Sequence, residues 1–246
     1  MNELLKGTIL FEKNEIDFNK VKENLKKNWQ IDILSEVTEE GFVFNVGNTL
    51  IKVSRNNENL KKIMLEKVKN NIFWIEGEAE VEKVKSYVDV IIEDGKDRVK
   101  LAKLFVKVIT SVLKVDGSIG VYKEPSIISK EDYIDVAEEL CGNEFPTLNM
   151  VYFGLYRTDN GIGGFTKGLD YFGKKEIEVL DTDIEVDELY TFLIDVADYV
   201  ITSDVKLNDG ETIGFSIEQK IPIALSDGVA VEGESIKLDI NKRNIQ

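Results

Sequence analysis

Among the residues of this chain, the acidic ones have the spacing that comes closest to that of a chemical site. The densest group lies within eight consecutive positions and comprises Asp181, Asp183, Glu185, Asp187 and Glu188. This group resembles a calcium loop, but such a loop requires glycine at its sixth position, where Val186 stands. An acid-rich helix start, favoured by the positive end of the helix dipole, explains the group better. We therefore expect no metal site and no cofactor.

Nucleophilic and zinc chemistry are restricted by composition. The 246 residues include no histidine and one cysteine, Cys141. Ser-His-Asp triads, Cys-His pairs, zinc sites with histidine ligands and disulfide frameworks are therefore excluded. Acid–base catalysis by carboxylates or lysine stays open, but the sequence does not single out a pair among 46 acidic residues. No catalytic residue is predicted.

One glycine-rich segment, residues 159–168 (DNGIGGFTKG), has the composition of a phosphate-binding loop. A Walker loop requires Gly-Lys-Ser/Thr at the start of a helix, whereas Lys167 here precedes Gly168. A dinucleotide fingerprint would place glycine where Thr166 stands. We therefore predict a glycine-rich hairpin between two strands.

The net charge of −15 is distributed unevenly. Residues 176–246 hold 17 acidic and 5 basic side chains, whereas the first 175 residues hold 29 and 26. Because phosphate backbones and anionic membranes bind clustered Lys and Arg, we expect no direct nucleic-acid or membrane partner. A protein with a basic surface is the expected partner, and the oligomeric state stays open. No apolar run of 18 residues and no targeting signal is present, which favours a cytoplasmic location.

The order of the predicted elements favours an α+β fold, because strands and helices alternate in part and cluster in part. We expect a mixed, largely antiparallel sheet flanked by helices. Two halves, 1–145 and 146–246, are expected to pack into one compact unit. Individual predictions include a strand over Gln30–Val37, a hairpin turn at Gly47-Asn48, and helices over Asn57–Asn70 and Glu78–Tyr87.

The strongest amphipathic pattern of the acidic half predicts a helix over Glu185–Ser203. Its apolar stripe is expected to face the core and comprises Val186, Leu189, Tyr190, Leu193 and Ala197. At about 100° per residue, Asp187, Asp195 and Asp198 then lie on the solvent side. The predicted partner-binding residues are these three aspartates together with the acids at the helix start, namely Asp181, Asp183 and Glu188.

Three segments of the second half carry a family resemblance. Phe165–Asp181 (FTKGLDYFGKKEIEVLD), Leu189–Ile201 (LYTFLIDVADYVI) and Leu207–Ile223 (LNDGETIGFSIEQKIPI) resemble bacterial proteins of the domain-of-unknown-function family 4261. Gly120–Pro125 and Asn70–Trp74 are also similar to upstream stretches of full-length members. The resemblance implies a cytoplasmic α+β protein and transfers neither an established activity nor catalytic residues.

Two classes of function are compatible with these observations. The first is a non-enzymatic, immunity-type or inhibitor protein whose acidic surface engages a basic partner, such as a nuclease or a nucleic-acid-binding complex. By analogy, the family resemblance associates this class with toxin–immunity or phage–host conflict and phage defence. The second is a carboxylate- or lysine-dependent enzyme acting on a small substrate, for which a deep pocket with convergent polar groups would be the sign.

Overall fold

The computed structural model describes residues 5–69, 71, 73–93, 96–214 and 220–242. In these residues the fold is α+β, with seven α-helices and twelve strands. The chain divides into unit 1, Met1–Asn149, and unit 2, Met150–Gln246. Each unit contains its own six-stranded sheet, largely antiparallel and flanked by helices. The predicted fold class is confirmed.

In unit 1, strands and helices alternate only in part. Its elements are β1 (Leu5–Phe11), α1 (Phe18–Trp29), β2 (Gly41–Val46), β3 (Thr49–Asn56), α2 (Lys61–Val68), α3 (Gly77–Val81), β4 (Ser86–Ile92), α4 (Arg98–Leu113), β5 (Ser118–Lys123), β6 (Ser126–Ser129) and α5 (Lys130–Ala137). A short helix, α6 (Thr147–Met150), spans the division between the units.

Unit 2 consists mainly of strands and has one long helix. Its elements are β7 (Tyr152–Arg157), β8 (Ile162–Lys167), β9 (Ile177–Thr182), α7 (Val186–Thr202), β10 (Thr212–Ile213), β11 (Ile221–Asp227) and β12 (Glu234–Leu238). The glycine-rich segment forms the turn and second strand of the β7–β8 hairpin, as its composition predicts.

The sheet of unit 1 has the strand order β2-β3-β4-β1-β5-β6, with every described pair antiparallel. The predicted hairpin joins β2 to β3, and Phe44 lies opposite Ile51 in the expected register. Gly47 adopts a φ of 59° in the turn, a conformation that glycine takes without steric strain. Helix α4 begins after Asp97, whose side chain accepts a hydrogen bond of 3.0 Å from the backbone N–H of Lys100.

The sheet of unit 2 has the strand order β10-β11-β12-β9-β8-β7. Strands β9 and β12 run parallel, and the other described pairs are antiparallel. Helix α7 packs on β7 and β8. A Cβ at Gly164 would lie 2.7 Å from the Leu193 side chain, so the helix approaches the strand closely at this glycine.

Several sequence predictions for unit 1 are wrong. Residues 30–37 form no strand, because Gln30 adopts a left-handed φ of 58° that ends α1 and the following chain continues as a loop. Leu34, expected in that strand, is 94% exposed. The predicted helix over 78–87 is reduced to α3 and replaced by β4 from Ser86 onwards. Tyr87 and Val88 pair there with β1 and β3.

The helix predicted over 57–70 is shorter in the structure. Helix α2 covers Lys61–Val68, and the preceding residues form a loop. Asn56 stabilises this loop by accepting a hydrogen bond of 2.7 Å from the backbone N–H of Glu58. Asn70, the predicted end of the helix, lies outside the described residues.

Candidate protein-binding surface

Helix α7 has one apolar side and one acidic side. Its buried residues are Leu189, Phe192, Leu193, Val196, Ala197, Val200 and Ile201. The helix contains no Lys or Arg, and its first turn carries Asp187 and Glu188. Because consecutive residues are about 100° apart, the buried residues take up one side and leave the acidic residues on the other. The predicted amphipathic helix is present, with Glu185 and Ser203 as its end caps.

The predicted binding residues on this helix face outwards. Asp187, Glu188 and Asp195 are exposed, and Asp198 is half-buried. In the part of the chain that the structure describes, neither Asp187 nor Asp195 forms an ion pair. Asp183, just before the helix, is exposed as well. The solvent side of α7 and Asp183 therefore form one acidic surface, called the α7 acidic surface below.

Asp181 differs from the other predicted binding residues, because it is half-buried and holds a turn. Its carboxylate accepts hydrogen bonds of 2.5 Å from the Thr158 hydroxyl and 3.3 Å from the Asn160 side-chain amide. The backbone carbonyl of Asp181 accepts a further bond of 2.7 Å from Asn241. Asp181 therefore fixes the turn of the β7–β8 hairpin, and its carboxylate is less available to a partner.

Two apolar side chains accompany the acids. Val186, predicted in the core, is 44% exposed because it occupies the first turn of α7. Tyr199 is 42% exposed and follows Asp198 directly. Exposed tyrosine beside carboxylates is a combination that contacts Lys and Arg side chains through both charge and the ring face. Tyr190 is half-buried and packs edge-on against Phe153, with ring centroids 5.8 Å apart.

The C-terminal end of α7 has a different electrostatic environment. Asp204 accepts a hydrogen bond of 2.5 Å from Lys174, whose side chain is 5% exposed. The hydrogen bond and the charge of Lys174 hold the pKa of Asp204 below its ordinary value. The Lys174 cation thus lies near the negative end of the helix dipole, whereas Asp183 and Asp187 lie at the positive end.

The opposite face of the sheet carries aromatic rings that lie over glycines. Tyr152, Tyr156 and Phe165 occupy every second position of their strands, so their side chains lie on the face of the sheet that is turned away from α7. A Cβ at Gly154 would lie 2.3 Å from the ring of Phe165, and one at Gly163 would lie 2.4 Å from the ring of Tyr156. The two glycines therefore allow the rings to lie flat on the strands.

A buried ion pair lies beside these aromatic rings. Glu178 on β9 is fully buried and pairs with Lys237 on β12, whose side chain is 12% exposed. Its carboxylate also accepts hydrogen bonds from the Ser235 hydroxyl at 2.5 Å and from the backbone N–H groups of Ala230, at 2.6 Å, and Val229, at 3.2 Å. Both carboxylate oxygens are therefore hydrogen-bonded, and the loop between β11 and β12 is fastened to the sheet.

Hydrogen bonding determines the ionisation of Glu178. Burial by itself would raise its pKa, but the hydrogen bonds from Lys237, Ser235 and the two loop amides outweigh burial and hold the pKa below its ordinary value. The nearby Tyr156 has a raised pKa because of burial and then because of the negative charges of Glu178 and Asp181. Glu178 is thus an ionised structural anchor whose acceptor positions are used within the protein.

Sequence reasoning did not identify Glu178, Ser235 and Lys237. The alternation of Ser235, Ile236 and Lys237 on β12 was a usable signal, since it places the serine and the lysine on one face of a strand. The parallel register that brings Glu178 opposite Lys237 joins residues about sixty positions apart, and a single sequence does not specify such a pairing.

Over the part of the chain that the structure describes, no group of three or more carboxylate or cysteine side chains is arranged to hold a metal ion. In the same residues, no helix is both long and apolar enough to cross a membrane.

Part of unit 2 is similar to a known protein family. Residues 165–241 match the model of a family described as a domain of unknown function (DUF4261), which confirms the resemblance seen in the sequence. The matched region contains α7 and the Glu178–Lys237 pair. No curated protein and no solved structure matches the chain.

Proposed function

We propose that the protein is a non-enzymatic binding protein that engages a basic partner through the α7 acidic surface. The observation that carries this proposal is the division of α7 into a wholly apolar buried side and a solvent side with acids but no Lys or Arg. A nuclease or a nucleic-acid-binding complex has a surface of the required charge. An inhibitor or immunity-type role, in toxin–immunity or phage–host conflict, is the proposed setting.

The physical basis of the proposal is electrostatic steering. Carboxylates on an exposed helix side attract a basic surface over about a Debye length, which is roughly 10 Å at 0.1 M salt. Such charges mainly increase the association rate, and Tyr199 supplies an amphipathic side chain that makes contact after docking. The chain's net charge of −15 acts in the same direction.

The second class, a carboxylate- or lysine-dependent enzyme, receives less support from the described residues. Glu178 and Lys237 are the buried acid and base that lie closest to such chemistry. Each oxygen of Glu178 already accepts hydrogen bonds from the protein, and Ser235 is fully buried. A general base needs a free acceptor position within reach of a substrate proton, which this pair lacks.

The test is a charge-removal experiment on a partner captured by the full-length chain and then purified. The variant Asp187→Asn/Asp195→Asn/Asp198→Asn removes three charges from the α7 acidic surface. Because these charges steer the partner towards the surface and are screened by salt, we expect their removal to lower the association rate about tenfold at low salt. The salt dependence of the association rate should decrease, and the dissociation rate should change little.

The matched control changes three other exposed aspartates and alters the net charge equally. Asp135, Asp159 and Asp227 are exposed and lie outside the α7 acidic surface. The control variant with asparagine at these positions should retain most of the association rate. Equal effects of the two variants would show that overall charge, rather than this surface, governs binding. The proposal would then be wrong.

A further inference from the structure

We propose that a cleft in unit 1 binds a small organic anion carrying a phosphate or carboxylate group. The cleft has a volume of about 510 Å³, which is within the range of small-molecule sites. It lies at the end of the unit 1 sheet where β3 and β1 end and where β4, the strand between them, begins. At this end Asn56 of β3 pairs with Tyr87 of β4, and Phe11 of β1 pairs with Ser86 of β4. Three adjacent strand ends and their loops therefore form its walls.

The lining of the cleft is rich in cations and amides. Arg55, Lys61 and Lys85 contribute three positive charges to the lining and Glu58 contributes one negative charge, while Glu82, just outside the lining, pairs with Lys61 at 3.8 Å. The amide side chains are those of Asn14, Asn56, Asn57 and Asn59. In a chain with a net charge of −15, this local excess of positive charge favours an anionic ligand, and the amides provide hydrogen-bond donors and acceptors for its neutral part.

The guanidinium of Arg55 is held in position by neighbouring groups. Its Nε donates a hydrogen bond of 2.9 Å to the carbonyl of Glu39, and Nη1 donates one of 2.8 Å to the carbonyl of Asn14. The guanidinium also lies 5.9 Å from the centroid of the Phe18 ring. Its Nη2 atom has no hydrogen-bond partner among the described residues. An oriented guanidinium with donors to spare binds an oxyanion without losing further side-chain entropy.

Lys85 is the most available cation of the cleft. Its ammonium group forms no ion pair with any described residue, and the side chain is exposed. Lys61 differs, because its ammonium donates a hydrogen bond of 2.6 Å to the carbonyl of Glu82. Lys85 and Arg55 therefore supply the free donors that a phosphate or carboxylate group would use.

Asn56 connects the cleft to a buried polar network that stiffens it. Its side-chain amide donates a hydrogen bond of 3.0 Å to Asp89, which also accepts from Thr8 at 2.6 Å and pairs with Lys6 at 2.9 Å. The side-chain Oδ1 of Asn56 accepts a hydrogen bond from the backbone N–H of Glu58 and so holds the next loop. The cleft is thus shaped by fixed contacts before any ligand arrives. It lies outside residues 165–241, and the inference does not depend on the proposed function.

The experiment is an NMR titration of the full chain, with ribose 5-phosphate and succinate as separate probes and sodium chloride of equal ionic strength as the reference. We expect saturable shifts of the backbone amides at residues 14, 55–59 and 85–87 with at least one probe. Lys85→Gln should weaken binding about fivefold, the upper range for one exposed charge pair.

Lys114→Gln is the matched control, because Lys114 is exposed, lacks an ion pair with the described residues and does not line the cleft. It should leave the affinity unchanged. Binding of one probe alone identifies the anionic group and supports the proposal. Shifts that do not saturate with either probe, shifts that equal those in sodium chloride, or equal losses in the two lysine variants would each overturn it.

Discussion

Glu178 lies opposite Lys237 in the parallel pairing of β9 and β12, and the two side chains form a buried ion pair. The same carboxylate accepts hydrogen bonds from Ser235 and from two backbone N–H groups of the β11–β12 loop. One side chain thus joins two strands and a loop in the middle of the unit 2 sheet. Because the pair lies within the matched residues 165–241, it anchors the region that defines the family resemblance.

Replacing Glu178 with glutamine should destabilise unit 2. The substitution leaves the Lys237 ammonium without its counter-charge and turns an amide NH₂ group towards other donors. Breaking a buried ion pair from one side costs about 3–5 kcal/mol. We expect the lower end, about 3 kcal/mol, because Lys237 retains some access to water. Urea unfolding followed by circular dichroism measures the change.

Glu234→Gln is the control for this substitution. Glu234 lies on β12 and pairs with Lys175 at 3.0 Å, but both side chains are about half exposed. Exposed ion pairs contribute about 0–1 kcal/mol, so this variant should unfold almost as the wild type does. A loss for Glu178→Gln as small as that for Glu234→Gln would contradict the assignment of Glu178 as an anchor.

The ionisation of Glu178 also predicts a pH dependence. Its pKa is below the ordinary value in the folded protein, so the unfolded chain binds the proton more readily. The stabilisation is therefore fully present above the unfolded pKa of about 4.3 and is lost as the pH falls through the lower, folded pKa. The difference in free energy of unfolding between wild type and Glu178→Gln should shrink below about pH 4. A difference that stays constant from pH 7 to pH 3 would show that Glu178 is not the titrating group.

Local patterns were sufficient to predict α7 and the β2–β3 hairpin. In α7 the apolar period matches the helical repeat from Leu189 to Ile201, and the outward position of Asp187 and Asp195 follows from it. In the hairpin, the Gly47-Asn48 turn determines the register that places Phe44 opposite Ile51. Both features depend on residues close together in the chain, which explains why the sequence was informative.

Features that depend on distant residues were not predicted. The parallel pairing that buries Glu178 and the strand ends that form the unit 1 cleft require tertiary contacts. Residues 30–37 have a pattern compatible with a strand, yet no neighbouring strand pairs with them in the described structure. Strand formation is set by pairing and burial as much as by the local sequence, and the prediction failed for that reason.

Gly120→Ala should destabilise unit 1. A Cβ at this position on β5 would lie 2.5 Å from the Trp74 ring and 2.7 Å from the backbone oxygen of Ile128. Trp74 is buried, so neither neighbour moves freely, and we expect a loss of about 2–3 kcal/mol from overpacking. Tryptophan fluorescence during urea unfolding follows the change.

Gly142→Ala makes the same chemical change where space is available. The nearest atoms to its Cβ would lie 3.9 Å away, on Glu144. This control should alter the free energy of unfolding by no more than about 0.5 kcal/mol. If Gly120→Ala is tolerated equally well, Trp74 does not pack closely against β5.

The two exposed aspartates of α7 should differ in their effect on stability. Asp187 lies in the first turn, where a negative charge is favourable, and Asp195 lies two turns further on, beyond the reach of the dipole. Asp187→Asn should therefore cost about 0.3–1 kcal/mol at low salt. Asp195→Asn should be neutral or slightly stabilising, because it lowers the self-repulsion of a chain with a net charge of −15.

Thermal unfolding at low salt and at 1 M salt measures the stability of both variants. The difference between the variants should vanish at 1 M, where the Debye length is about 3 Å. Equal effects at low salt would mean that the helix dipole does not act on Asp187, and that both carboxylates are equivalent parts of the α7 acidic surface.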